Sequence, residues 1–239
     1  MPFSRKKPEI QGGLSGTALK YIAMTTMLAD HIGAVLLERI VYYRGNLEQV
    51  AMLMTSQWGD TLYWQWRMLR TVGRIAFPIY CFLLVEGFLH TRDWRRYWLR
   101  MAAFALISEI PFRLAVWNTW AGGSSNVYVE LAIGLLVLRG LKQSEGLTQP
   151  RRAAGMAAVI GGGCLAAVFL KADYDMEGIL IISLFYLLRE KRIVQVMSGG
   201  LLSLLESWNM CYGAGILSAV PMYFYNGHKG QAHWTYAFY

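Results

Sequence analysis

The stretch Ala18–Val41, ALKYIAMTTMLADHIGAVLLERIV, decides how the chain is read. It is apolar over a membrane-crossing length, because about 20 helical residues rising about 1.5 Å each span a hydrocarbon core of about 30 Å. Near its middle Asp30 and His31 stand side by side. Ionisable groups are costly in lipid, and where they occur they face a bundle interior or a cavity and mark a functional site. The run is too long for the apolar core of a cleaved signal peptide, although Arg5, Lys6 and Lys7 precede it. It is therefore expected to persist as a first transmembrane helix.

Composition agrees with that reading. Of 239 residues 55% are hydrophobic and 16% charged, and the mean hydropathy is +0.32, too apolar and too charge-poor for an ordinary soluble domain. The predicted fold class is all-α: a polytopic transmembrane helical bundle of roughly eight to nine helices. Residues 1–17 form a cytoplasmic N-terminal segment and 18–239 a single transmembrane domain in this reading. The net charge of +8 falls in short clusters between apolar runs, which is the pattern of cytoplasmic loops; the bilayer is the expected partner and no nucleic acid is. Cys81, Cys164 and Cys211 lie in separate apolar segments without ligand spacing. They read as small buried thiols, and no metal site is expected.

Further helices are predicted at Met68–Leu89, Trp94–Trp117, Asn126–Leu141, Ala153–Lys171, Glu177–Leu188, Ile193–Leu205 and Trp208–Tyr225. Basic loops carry Arg92, Arg95, Arg96 and Arg100, then Lys142, Arg151 and Arg152, then Arg189, Lys191 and Arg192. They alternate with loops lacking a basic excess, at 118–125, 173–177 and 206–209. The positive-inside rule puts the first set and the N-terminus in the cytoplasm. The segment Tyr42–Trp66, with Trp58, Tyr63, Trp64 and Trp66, is the longest outer loop. The aromatic run His233–Tyr239 reads as the start of one more span.

Lys20 and His31 are eleven residues apart, about 20° from alignment on a helix and about 16 Å apart along its axis. A cation at the inner end and an imidazole at the membrane centre thus share one face. The bland alternatives are a snorkelling lysine and a structural histidine between helices. Asp30 lies about 100° around the helix from His31 and is expected to meet a cation on another helix, with Arg74 the candidate. Arg67, Arg70 and Arg74 form a stripe at i, i+3 and i+7, whose first two members read as interfacial. Pro78 frees a carbonyl near Arg74 and is expected to kink that helix. Glu109 and Arg113 make an i,i+4 pair, either a structural ion pair or a catalytic carboxylate with its orienting partner. Asn126, Glu130, Asp173, Tyr174, Asp175 and Glu206 map to the outer ends of later helices; each alone reads as a cap or solvated residue, and together they outline a polar vestibule. Arg92 and its neighbours satisfy topology and also suit a nucleotide phosphate. The turn Tyr225–Gly230 offers His228 and Lys229 as phosphate ligands.

Lys20-Tyr21-Ile22-Ala23-Met24 leading to Asp30-His31-Ile32-Gly33, then Gly73-Arg74-Ile75-Ala76-Phe77-Pro78, His90-Thr91-Arg92, Ser108-Glu109-Ile110-Pro111-Phe112 and Tyr225-Asn226-Gly227 together resemble the TraX family of bacterial membrane proteins. The resemblance implies a multi-pass acetyltransferase of the bacterial inner membrane, with acetyl-CoA as donor and a pilin N-terminus or another extracytoplasmic amine or hydroxyl as acceptor. The implied design is similar to that of the acyltransferase type three proteins, which have an intramembrane histidine and a basic residue eleven positions before it. On this reading His31, Asp30 and Glu109 are the catalytic candidates, and Lys20, Arg74, Arg92 and Lys229 the candidates for holding acetyl-CoA. His31 then acts as general base or as the nucleophile of an acetyl-histidine intermediate. The competing class is a small proton-coupled transporter, in which Asp30, His31, Arg74 and Glu109 line a path.

Overall fold

The computed structural model describes residues 12–38, 57–120 and 122–231. The basic triplet Arg5–Lys7, residues 42–56 of the expected outer loop and the aromatic run His233–Tyr239 lie outside the described residues. The described chain is all-helical. An isolated bridge pairs Leu14 with Tyr225, and no strand forms among the described residues. The helices are α1 Gly16–His31, a π-helix Ile32–Leu37 continuing from it, α2 Gln57–Gly73, α3 Ala76–His90, α4 Trp94–Val116 and α5 Val127–Ser144. There follow α6 Gln149–Phe169, α7 Asp175–Leu187, α8 Arg192–Cys211, a 3-10 turn Ala214–Ser218 and α9 Ala219–Tyr223.

Three sequence expectations change. Residues 57–66, expected as the end of the outer loop, form the first half of α2, so that helix starts at Gln57 and not at Met68. The helix expected over Met68–Leu89 is interrupted at Arg74 and Ile75, between α2 and α3. Pro78 has no N–H, and its ring meets the carbonyl four residues back, on Arg74. Conversely, the loop expected at Glu206–Asn209 lies inside α8, and the chain turns later, at Tyr212 and Gly213, with φ of 52° and 71°. The polarity that resembles a loop belongs to one face of α8. Ser207 Oγ donates to Ser203 O at 2.6 Å and accepts from Gly215 N at 3.0 Å.

The chain divides into two compact units, Met1–Tyr80 with Gly199–Tyr239, and Cys81–Ser198. In the first, α1 and the π-helix pack on α2. Ser15 caps α1, its hydroxyl accepting from Ala18 N at 3.2 Å. The first-turn amides of a helix have no partner within it; here Gly16 N and Thr17 N donate to His228 O and Lys229 O, both at 2.8 Å. Leu14 N to Phe224 O at 2.7 Å and Asn226 N to Leu14 O at 2.8 Å extend this clasp between the two ends of the unit.

In the second unit α4 to α7 pack as antiparallel neighbours. Phe82 and Phe185 meet edge to face with centroids 5.7 Å apart. The three basic loops gather at one end, where Arg189 bonds Glu145 at 2.8 Å and the Arg139 guanidinium lies 5.3 Å from the Trp94 ring centroid. At the other end Asn126 caps α5, accepting from Tyr128 N at 2.9 Å, and Ser125 N donates to Lys171 O at 2.7 Å. Glu130, expected as a cap or solvated residue, is wholly buried against Gly178 of α7.

Gly59–His90 and Gln149–Phe169 are long and apolar enough to cross a membrane. Only 11% of the apolar window of α6 is buried. Gly163 is the point at which α6 closes on Val137 of α5 and Ile179 of α7, whereas nothing lies within 4 Å of a Cβ placed at Gly161 or Gly162. Gly163→Val should therefore lower the midpoint of thermal unfolding by several degrees, through overpacking worth about 1–3 kcal/mol. Gly161→Ala should leave it unchanged or raise it slightly, since alanine is the better helix former.

Candidate functional site

His31 is the last residue of α1, and the wider π turn begins at the next residue. Such π turns are rare and are often found at functional sites. The imidazole is exposed, and its Nδ1 lies 2.8 Å from Met27 O. A carbonyl only accepts, so Nδ1 carries the hydrogen and neutral His31 presents a bare lone pair at Nε2. The helix thus sets the tautomer of its own histidine.

Asp30 is held differently. Arg70 Nη1 on α2 donates to Asp30 Oδ2 at 2.7 Å, with side-chain exposures of 15% and 19%. The partner expected from the sequence was Arg74; the structure puts Arg70 there. The reason is the helix break: Arg70 lies within α2, whereas Arg74 follows its end and pairs with Glu206 of α8 at 3.3 Å. Gly73 makes the Asp30–Arg70 approach possible, because a Cβ there would run into the Asp30 side chain. Gly33 likewise admits the stem of Arg70 against the π-helix. Arg67, the remaining member of the stripe, donates to Tyr63 Oη at 2.8 Å and stacks over the Tyr212 ring at 4.3 Å. Three arginines read as one cationic face therefore go to different partners: Arg67 to two tyrosines, Arg70 to Asp30 and Arg74 to Glu206. Arg70 is a half-buried tie between α1 and α2.

At the other end of α1, Lys20 and Lys229 lie close enough to repel one another. They meet because the clasp of His228 and Lys229 carbonyls on Gly16 and Thr17 brings the turn back to the start of the helix. Two cations at one point, with the imidazole about 16 Å along the same helix, suit an elongated ligand with an anionic head.

Glu109 and Arg92 belong to the second unit. Glu109 Oε1 accepts from Arg113 Nε at 2.7 Å, and Oε2 accepts from Asn126 N at 3.1 Å and from Asn126 Nδ2. Its carboxylate ties α4 to the cap of α5. Arg92 is exposed beside Arg96 and Arg100 at the start of α4.

Sequence reasoning placed Glu206 in a vestibule and Arg70 at an interface, and so missed both ion pairs. The available signal was glycine: Gly33 lies three residues after Asp30, and Gly73 three after Arg70, on the faces that must approach. The clasp bringing Lys229 to Lys20 pairs residues more than two hundred positions apart and left no periodic trace.

The family model described as "TraX protein" matches residues 15–239. The probable fimbrial assembly protein FimC, serogroup H1, of Dichelobacter nodosus is 39% identical over 67 residues, 28% of this chain and 25% of that protein. The match thus spans a quarter of that relative's length. No solved structure matches the chain.

Removing one partner of a largely desolvated ion pair leaves an uncompensated charge. Arg70→Met should cost about 3 kcal/mol of unfolding free energy, and Asp30→Leu/Arg70→Met should recover most of it, as read by thermal unfolding of the purified protein. Equal losses in the single and double variants would contradict a paired Asp30.

Proposed function

Because the chain belongs to the TraX family, we propose that it is a multi-pass acetyltransferase of a bacterial inner membrane, with its N-terminus in the cytoplasm. The proposed donor is acetyl-CoA and the acceptor an amine or hydroxyl beyond the membrane, of the pilin N-terminus kind. The name of the Dichelobacter relative, a probable fimbrial assembly protein, is in keeping with such an acceptor.

The membrane reading draws its support from α6. An apolar helix of 21 residues with 11% of its window buried would hold a large apolar surface against water, and monomeric soluble proteins rarely do so. In lipid the same surface needs no cover.

The observation that carries the catalytic reading is the Nε2 of His31, left as a free acceptor by the Nδ1 bond to Met27 O. Lys20 and Lys229 hold the phosphates of acetyl-CoA, and its long arm runs beside α1 toward His31. The acceptor N–H or O–H gives its proton to Nε2 as its heavy atom attacks the thioester carbonyl. The new C–N or C–O bond forms, the C–S bond breaks, and the imidazolium returns the proton to the leaving thiolate. Asp30 and Glu109, each engaged by donors in this fold, are positioning residues: Asp30 through Arg70 holds α1 on α2, and Glu109 holds the cap of α5. Arg74 does the same through Glu206.

His31→Ala should lower acetyl transfer from labelled acetyl-CoA by about 10² to 10⁴-fold, the usual contribution of a positioned general base. Its thermal unfolding should match that of the wild type. Full activity in this variant would remove His31 from the chemistry. Lys20→Gln/Lys229→Gln should raise KM for acetyl-CoA with little change in kcat, as expected for lost ground-state binding.

A further inference from the structure

Away from His31, the start of α4 forms an open surface cleft of about 480 Å³ lined by Thr91, Arg92, Asp93, Arg96, Leu99 and Arg100. Three arginines face one carboxylate there. Asp93 is already committed, since its Oδ1 caps the Arg95 and Arg96 amides at 3.0 and 3.1 Å and its Oδ2 meets Arg96 Nε at 3.1 Å. Arg100 lies 6.0 Å from the Tyr97 ring centroid, and Arg92 has no carboxylate partner among the described residues. Guanidinium groups gathered at one cleft suit a phosphate, which they bind with paired N–H donors.

The wall of the cleft also contains an apolar residue, and that residue begins a track. Leu99, Ala103, Leu106 and Ile110 recur at i, i+4, i+7 and i+11, which at about 100° per residue confines them to a strip about 60° wide. All four are exposed; Leu99 is 58%, Leu106 77% and Ile110 54% accessible. From Leu99 to Ile110 the strip runs about 16 Å, close to half of a hydrocarbon core of about 30 Å. A cationic cleft continuous with an apolar track one leaflet long matches a ligand with a phosphate head and an acyl chain. A free nucleotide would satisfy the arginines and leave the track uncovered.

We propose that the Arg92–Arg96–Arg100 cleft is a binding site for an anionic phospholipid of the cytoplasmic leaflet, the phosphate in the cleft and one chain along Leu99–Ile110. The site rests on the membrane reading above and is independent of acetyl transfer. It also reassigns Arg92 from the donor nucleotide to the bilayer.

The full chain, purified in detergent, is tested for binding of phosphatidylglycerol and phosphatidylcholine by native mass spectrometry. Phosphatidylglycerol should bind roughly tenfold to a hundredfold more tightly, from attraction of about three arginines to one anionic head. Arg92→Gln/Arg96→Gln/Arg100→Gln should abolish that preference. Arg151→Gln/Arg152→Gln/Lys191→Gln, which removes the same charge from the same end of the unit, should keep it. Neither CoA nor glycerol phosphate should displace the lipid. Equal affinity for the two lipids, an equal loss in the control variant, or displacement by CoA would each overturn the assignment. A chain that stays in solution once detergent is removed would overturn the membrane reading, and the site with it.

Discussion

The bond between Asp30 and Arg70 is the constraint on which the rest of the first unit depends. A carboxylate and a guanidinium with exposures below 20% have given up most of their water, and the pairing offsets that loss. The geometry leaves no slack, since Gly73 is the only residue type that admits Asp30 at that point of α2. The pair fixes α1 on α2 one residue before His31. It thereby fixes the rotation of α1, and with it the face that carries both His31 and Lys20. The neighbouring pair Arg74–Glu206 extends the same logic to α8, across the break imposed by Pro78. Charge is used here to set register, and the imidazole beside it is left exposed.

The sequence disclosed the helices better than their joints. Periodic apolar runs located α1, α4, α5, α6 and α7 within a few residues, because a long run of apolar residues has few other outcomes. Where the reading failed, local polarity stood for two different things. Ser203, Glu206 and Ser207 read as the lip of a loop but form the inward face of α8, where serine hydroxyls bond back to carbonyls one turn earlier. Glu130 reads as a solvated first-turn acid, yet it is wholly buried. Partner choice was likewise illegible: Arg70 and Arg74 differ by one turn, and only the break after Gly73 decides which of them Asp30 meets. The spacing of Lys20 and His31 was legible, because it depends on the helix alone.

The second unit organises charge on a larger scale. Its basic loops gather at one end, where Asp93 and Glu145 pair with arginines, while Glu109, Glu130, Asp173, Asp175 and Glu177 lie toward the other. At the basic end, arginines that the positive-inside pattern would leave as mere topology markers divide into two kinds. Arg189 is spent on Glu145 and on the Tyr186 ring, at 4.2 Å from its centroid. Arg92, Arg96 and Arg100 stand around an open cleft that holds one carboxylate, Asp93, already paired with Arg96. Composition treats the two kinds alike, and partner geometry separates them.

In the proposed function α1 is a ruler: cations at Lys20 and Lys229 hold the head of the acyl donor, and the helix directs its thioester to Nε2 of His31. A structure with a hydrolysis-resistant acetyl-CoA analogue measures this most directly. The account predicts phosphate density at Lys20 and Lys229 and the acyl carbon within about 5 Å of His31 Nε2, close to near-attack range. An analogue bound with its acyl group more than about 10 Å from that nitrogen, a separation no direct proton transfer bridges, would contradict it.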